Sequence, residues 1–321
     1  MPLFPARPRA LLDLESLESR ETPAFLSTAS VVSGSDLGGP PVVQIENPGT
    51  GAVTTQLLAF DSTFYGGVRV AVGDVTGDGV SDLVCVVGPS GGPAVKVFDG
   101  SNGNVTASFF AYDSSYSNGL FVAVGDLTGD GVAEIVTGTD LGGGPNVRIF
   151  DGSGNQLSSF FAYEPGFTGG VRVAVGDVTG DGQAEIITST GPGGGPAVRT
   201  FSLDSGLTNP VVTSSFYAYA SNFINGIYVA IGDVDGDGVG DIITGSGAGG
   251  GPQVNVFTAT GSISFYAYDP SFTGGVRVAA ADLTGDGIAE IIAGAGPGGG
   301  PQVNVYQFPS STPISTSYGL N

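Results

Sequence analysis

The chain has 321 residues, 57 of them glycine and only 12% charged, with a formal net charge of -21 and no histidine. Apolar content of 40% is enough for a sizeable core and rules out a disordered polyelectrolyte. The acidity, with only six basic residues beyond position 24, argues against a nucleic-acid partner, and no apolar stretch reaches the ~18 residues of a membrane span.

Residues 1–24 (MPLFPARPRALLDLESLESRETPA) differ in composition from the rest of the chain, with three arginines and four acids. Their longest apolar run, Ala10, Leu11 and Leu12, is too short for the hydrophobic region of a secretory signal. The segment is expected to be a disordered leader ahead of one domain spanning 25–321. Next comes ASVVSGSDLGGPPVVQIEN at 29–47, which aligns with AEIVTGTDLGGGPNVRIFD at 133–151. A partial repeat therefore opens the array, without an innermost strand or an acidic loop.

Five acidic loops come after it, beginning at Asp74 (DVTGDGVSD), Asp126 (DLTGDGVAE), Asp177 (DVTGDGQAE), Asp233 (DVDGDGVGD) and Asp282 (DLTGDGIAE), spaced by 52, 51, 56 and 49 residues. A period near 50 marks stacked supersecondary units. The repeat around Asp177 serves as template. VRVAVG at 171–176 alternates with period two, as a strand does. The acidic loop leads to a second β-rich run from Glu185, then a Gly-rich turn ending at Pro196. AVRTF, a variable hairpin and the aromatic strand SSFYAY at 214–219 complete it. Four short strands per period predict four-stranded antiparallel blades, and a lone blade buries its faces only by radial stacking. The fold class is all-β, a β-propeller. The Gly-Gly-Pro turn occurs six times, ending at Pro40, Pro93, Pro145, Pro196, Pro252 and Pro301, so six blades are expected, with five and seven as alternatives. TPISTSYG at 312–319 reads as a degenerate final strand. Cys85, within DLVCVV, reads as a small core residue.

Sixteen of the 30 acids lie in the five loops. A hard cation such as Ca²⁺ takes six to eight oxygens from carboxylates, carbonyls, hydroxyls and water. The expected ligand sets are Asp74, Thr76, Asp78, Val80 (carbonyl) and Asp82; Asp126, Thr128, Asp130, Val132 and Glu134; Asp177, Thr179, Asp181, Gln183 and Glu185; Asp233, Asp235, Asp237, Val239 and Asp241; and Asp282, Thr284, Asp286, Ile288 and Glu290. About five calcium sites are expected. A solvated Asp-Gly turn is the plain alternative for any single loop, but five loops each holding at least three carboxylates would repel if empty. Magnesium fits less well, and zinc is disfavoured by one cysteine and no histidine. No phosphate-cradle lysine comes after the Gly-rich turns, and neither a Ser-His-Asp triad nor a histidine base exists. The chain is expected not to be an enzyme.

Each repeat carries an aromatic followed by glycine after its fourth strand (Phe64-Tyr65-Gly66, Phe167-Thr168-Gly169, Phe272-Thr273-Gly274), then the acidic loop, then a GPGGGP-like turn as at 296–301. This order resembles the FG-GAP repeat of integrin-α-type propellers and the related bacterial VCBS-like repeats. The resemblance implies a propeller with Ca²⁺ between the first and second strands of a blade, and no single activity. The family pattern has Asp or Asn at the third loop position and Asp at the ninth. Thr and Glu there predict weaker sites, and the Asp233 loop the tightest. The leader's LESRETPA resembles the N-termini of some bacterial repeat-rich surface proteins. A binding or adhesion module, secreted or at the cell surface, is the leading expectation, with a glycan or protein ligand. A carbohydrate-active or lyase-type enzyme and a structural surface-layer component are the alternatives. Phe64, Tyr116, Phe167, Phe223 and Phe272, on the loops opposite the calcium face, are candidate ligand contacts, unless they tuck between blades. Phe109, Phe110 and Tyr112, with Phe160, Phe161 and Tyr163, are expected to pack between blades, and Arg69, Arg172 and Arg277 either to line the channel and attract an anion or to pair with nearby acids.

Overall fold

A computed structural model describes residues 25–26, 30–47 and 50–318; the expected leader at 1–24 lies outside them. Six sheets are arranged as a β-propeller. Blade 1 holds β1 (Val31–Gly34), β2 (Val42–Glu46) and β3 (Val53–Leu58). Blade 2 holds β4 (Val68–Gly73), β5 (Asp82–Val87), β6 (Ala94–Phe98) and β7 (Val105–Phe110). Blade 3 holds β8 (Leu120–Gly125), β9 (Glu134–Thr139), β10 (Asn146–Phe150) and β11 (Gln156–Phe161). Blade 4 holds β12 (Val171–Gly176), β13 (Glu185–Thr190), β14 (Ala197–Ser202) and β15 (Val211–Tyr217). Blade 5 holds β16 (Ile227–Gly232), β17 (Asp241–Ser246), β18 (Gln253–Thr258) and β19 (Gly261–Tyr266). Blade 6 holds β20 (Val276–Ala281), β21 (Glu290–Ala295), β22 (Gln302–Tyr306) and β23 (Pro313–Tyr318). The last of these is the degenerate strand expected near residue 312, antiparallel to β22.

Burial tracks radial position. The second strands β5, β9, β13 and β17 are buried along their whole length, because inner and outer neighbours and both adjacent blades enclose them. Cys85 lies in β5, fully buried, and burial pushes its thiol pKa up, so it is an inert core residue. The outermost strands are mostly exposed, with the half-buried position next to last.

The seams between blades repeat one design. A phenylalanine of the fourth strand packs on an aromatic residue near the end of the third strand of the next blade. The pairs are Phe109–Phe150, Phe160–Phe201, Phe216–Phe257 and Phe265–Tyr306, with ring centroids 5.0, 4.9, 4.8 and 4.9 Å apart. Such pairs add about 0.5–1.5 kcal/mol beyond the area they bury. Three residues on, a tyrosine hydroxyl crosses the same seam. Tyr163 donates toward the carbonyls of Thr188 and Ala197, both at 3.1 Å, and Tyr112, Tyr219 and Tyr268 do the same in their blades. Phe110 and Phe161 correct the sequence expectation. Their neighbours Phe109 and Phe160 face the seam, so period-two alternation turns these two rings outward, leaving them 60% and 54% exposed.

Connection lengths show what the architecture constrains. In blades 2 to 6 the first-to-second connection is always eight residues and the second-to-third always six, while each link between full blades is nine. Only the third-to-fourth hairpin varies, from two residues (259–260) to eight (203–210). That hairpin, with the one-residue differences in the strands beside it, accounts for the uneven spacing of the acidic loops.

Replacing Tyr163 by Phe is expected to destabilise the protein by about 1–2 kcal/mol, since buried carbonyls lose a donor. Tyr163→Ala should cost about 3–5 kcal/mol. Urea unfolding of both variants checks this, and a Phe variant matching wild type would show that the hydroxyl does not bridge the blades.

Candidate metal centre

The five acidic loops lie on one face of the ring and share one hydrogen-bond scheme. The first Asp accepts backbone N–H groups from the fourth and sixth residues, as Asp74 does from Gly77 and Gly79 at 2.7 Å each. Those two glycines have φ of 76° and 84°, which an L side chain rarely adopts, so the curl demands glycine. The ninth acid closes the loop by accepting the N–H of the second residue. The pairs are Asp82 with Val75, Glu134 with Leu127, Glu185 with Val178, Asp241 with Val234 and Glu290 with Leu283, at 2.8–3.0 Å. Neighbouring loops are also joined, because the first Asp's carbonyl accepts the N–H of the eighth residue of the next loop. Asp74 takes Ala133, Asp177 takes Gly240 and Asp233 takes Ala289, at 2.8, 2.7 and 2.7 Å.

The loops differ at the third position. Thr128, Thr179 and Thr284 turn their hydroxyls to the ninth-position Glu, at 3.5, 3.2 and 3.2 Å. In the first loop Asp82, fully buried, instead accepts the backbone N–H of Thr76 and, through its other oxygen, that of Gly100, at 2.9 Å each. In the fourth loop the third residue is Asp235, and carboxylate oxygens of Asp233, Asp235 and Asp237 lie within 4.8 Å of one another. Asp235 Oδ1 is buried without a hydrogen-bond partner. Burial, together with repulsion from Asp235 and Asp237, pushes the Asp241 pKa up to about 6. Three converging carboxylates and an orphaned buried oxygen fit a hard cation. Among the described residues, no other group of three acids converges in this way.

On the opposite face the Gly-Gly-Pro turns meet the loops that leave the fourth strands, as where Gly142 N–H donates to the Thr168 carbonyl at 2.8 Å. Phe64, Tyr116, Phe167, Phe223 and Phe272 lie on those loops, all half-buried. A Cβ built on Gly66 or Gly169 would stand 2.2 Å from the ring of Phe64 or Phe167, so these rings fill the space that the following glycine leaves. Tyr163 packs edge-on against Phe167, and Tyr268 against Phe272. Phe110, Phe161, Tyr217 and Tyr266 are the rings that sequence reasoning missed as exposed. They stand at one register of the outermost strands in blades 2 to 5, 51–62% exposed. Each lies beside a glycine of its blade's turn, Gly92, Gly144, Gly195 and Gly251. Adjacency to a seam-facing aromatic in the doublets FF and FY was the available signal.

At the axis Arg69, Arg172 and Arg277 converge with Phe121 and Tyr228, and two of the three take the alternative of pairing with acids. Arg69 pairs with Asp140 at 2.5 Å and Arg277 with Asp36 at 2.8 Å.

Residues 126–188 match the FG-GAP-like repeat. That span runs from the Asp126 loop through the Asp177 loop, and the same loop recurs in blades 2, 5 and 6. This span therefore carries an FG-GAP-like repeat within the six-bladed propeller. No curated protein sequence matches the chain significantly. Among solved structures, the propeller is similar to the rhamnogalacturonan lyase YesW at 15% identity and a TM-score of 0.48, covering 88% of this chain and 60% of that one. It is similar also to the rhamnogalacturonan lyase PL11 of Bacillus licheniformis at 17% and 0.45, covering 87% and 59%. The WD40 repeats of RRP9 match at 12% and 0.47, covering 79% and 68%. This chain thus spans about three fifths of either lyase, and likeness at this level says nothing about activity.

The raised acids set a pH dependence for the metal-free propeller. Burial raises the pKa of Glu134 and Glu185 as well as that of Asp241. An acid whose folded pKa is raised stabilises the fold at low pH, and that contribution is lost as pH climbs through the folded value. Turn acids such as Asp99 and Asp113 are shifted the other way by serine hydrogen bonds, and their contribution is lost only as pH falls below about 4. In excess EDTA the melting temperature should therefore rise from pH 7 to pH 5 and fall again below about pH 4. Asp241→Asn should flatten the upper limb; a profile falling steadily from pH 7 to pH 5 would contradict the burial of these acids.

Proposed function

We propose that this propeller is a calcium-stabilised, non-catalytic binding or adhesion module acting at or outside the bacterial cell surface. The observation that carries the calcium reading is the Asp233 loop, with its three converging carboxylates and the partnerless Asp235 oxygen. Asp233, Asp235, Asp237 and Asp241 would hold the ion with the Val239 carbonyl, and the equivalent residues of the other four loops would do so more weakly. There a neutral threonine oxygen replaces a carboxylate, so each site offers less charge. The ion would neutralise acids that otherwise repel one another and brace the link between the first two strands of each blade.

Binding rather than catalysis is favoured by the chemistry of the chain. It has no histidine, and the clustered acids are committed to the loops' own N–H groups. The exposed rings of Phe110, Phe161, Tyr217 and Tyr266, beside glycine-rich turns, offer apolar platforms suited to a glycan or a polypeptide.

Extracellular calcium modules have Kd of about 10⁻⁴–10⁻³ M. At ten times Kd each site contributes about 1.4 kcal/mol, and five would give about 7 kcal/mol if only the native state binds. Melting in millimolar Ca²⁺ against EDTA, with elemental analysis of the purified protein, is the test. An unchanged melting temperature with no bound metal would remove the calcium reading. Asp235→Thr, which makes the fourth loop resemble the others, should weaken the strongest site and, by removing a repelling carboxylate, raise calcium-free stability slightly. On a glycan and protein array, joint replacement of Tyr217 and Tyr266 by Ala is expected to reduce binding without moving the melting temperature.

A further inference from the structure

Among the described residues blade 1 has three strands where the other blades have four. Among the described residues β1 pairs only with β2, whereas the second strand of every other blade also pairs with an innermost strand. In blade 4 that second pairing runs through six residues, from Val171 opposite Thr190 to Gly176 opposite Glu185. The effect on burial is direct. All four residues of β1 are half-buried, while the equivalent β5, β9, β13 and β17 are buried throughout and β21, which borders the same region, is buried at three of its six positions. Two neighbouring clefts occupy the region. One of about 380 Å³ lies between β1 and blade 6, reaching Val278 and Ile292. The other, about 200 Å³, lies at the axis and is lined by Asp36, Arg69 and Arg277.

The five strands that do fill this place define what fits it. Their first, third and fifth residues are apolar, as in Val68, Val70 and Val72 or Ile227, Val229 and Ile231. Four of the five end in glycine, because a Cβ on Gly73 would stand 2.5 Å from Val124 of the next blade. The second residue alternates around the axis: Arg69, Phe121, Arg172, Tyr228, Arg277. Arg172 lies against two rings, 5.1 Å from Phe121 and 4.8 Å from Tyr228. The Arg69 guanidinium lies 3.9 Å from the centre of the Phe121 ring, and that of Arg277 lies 5.8 Å from the centre of the Tyr228 ring. The sixth place falls between Arg277 and Arg69. An arginine there would crowd a third guanidinium beside two others, whereas an aromatic ring would be attracted to both.

We propose that this place is a receptor slot for an extended segment of a partner polypeptide, which adds to the edge of β1 as the sixth innermost strand and sets a Phe or Tyr between Arg69 and Arg277. Main-chain hydrogen bonds to β1 supply affinity, and the aromatic residue with its alternating apolar neighbours supplies specificity. The slot arises from strand count and packing, so this inference is independent of calcium.

The chain's own β8 gives the probe, a labelled peptide of sequence GLFVAVGD (residues 119–126), titrated into the full-length protein in saturating calcium. Binding should be saturable, and hydrogen–deuterium exchange should slow at residues 31–34. Exchanging the peptide's Phe for Arg should weaken binding about tenfold, and Arg277→Ala in the protein should weaken the Phe peptide selectively. Replacing the valine after Phe by proline should abolish binding, since proline cannot join the ladder. The proposal is overturned if the Phe peptide does not bind or the proline peptide binds equally well. It is overturned too if residues 31–34 are already protected in the peptide-free chain, which would mean that the chain's own residues fill the slot.

Discussion

The structure depends on the seam between blades. A four-stranded sheet this small cannot bury two faces by itself, so the fold exists only if each blade covers its neighbour. The repeat meets that requirement with an aromatic contact at the rim and a tyrosine hydroxyl reaching two carbonyls of the next blade. Glycine at the end of the inner strand lets adjacent backbones approach near the axis. Nearest-neighbour contacts of this kind make stability a sum over seams, and the seams are not equal. Where blade 6 meets blade 1, Ser317 and Glu46 stand at the registers held elsewhere by the paired aromatic rings. Among the described residues, the ring's polar seam and its three-stranded blade therefore coincide.

The acidic loops are secondary to that design in position and central to it in charge. They carry more than half of the acids, yet each first carboxylate is already held by backbone N–H groups, so the loop geometry does not await a ligand. What a cation would change is the repulsion among carboxylates, most of all around Asp235. The three Thr–Glu loops soften the same repulsion internally, through a hydroxyl donated to the ninth-position acid. Charge count and hydrogen bonding thus trade against each other from loop to loop.

Much of this was legible in the sequence. The period of the acidic loops, the six Gly-Gly-Pro turns and the alternation in VRVAVG lead to a six-bladed propeller whose opening repeat lacks one strand. The missing strand is visible because residues 29–47 align with only the later part of a full repeat. The outward rings of Phe110 and Phe161 were harder to see. Hydrophobicity says that a doublet of phenylalanines is buried, and only the pleat separates the residue at the seam from the one at the rim. The environment of Arg172 was not readable at all. Asp140 comes directly after the second strand of blade 3, Asp36 holds the aligned position two residues past β1 in blade 1, and each meets the arginine of the preceding blade. Gly247 holds that register in blade 5, so Arg172 has no carboxylate there and leaves its buried Nε without a partner.

The connection lengths have a consequence for how such a protein can change. The loops of eight, six and nine residues are each tied to a neighbouring blade or to another loop, so an added residue there would shift a seam. The third-to-fourth hairpin can grow from two residues to eight with the ladder on either side kept in place. It is the site where a lineage can insert new sequence, and where an engineer could graft a tag or a whole domain, while the ring keeps its shape.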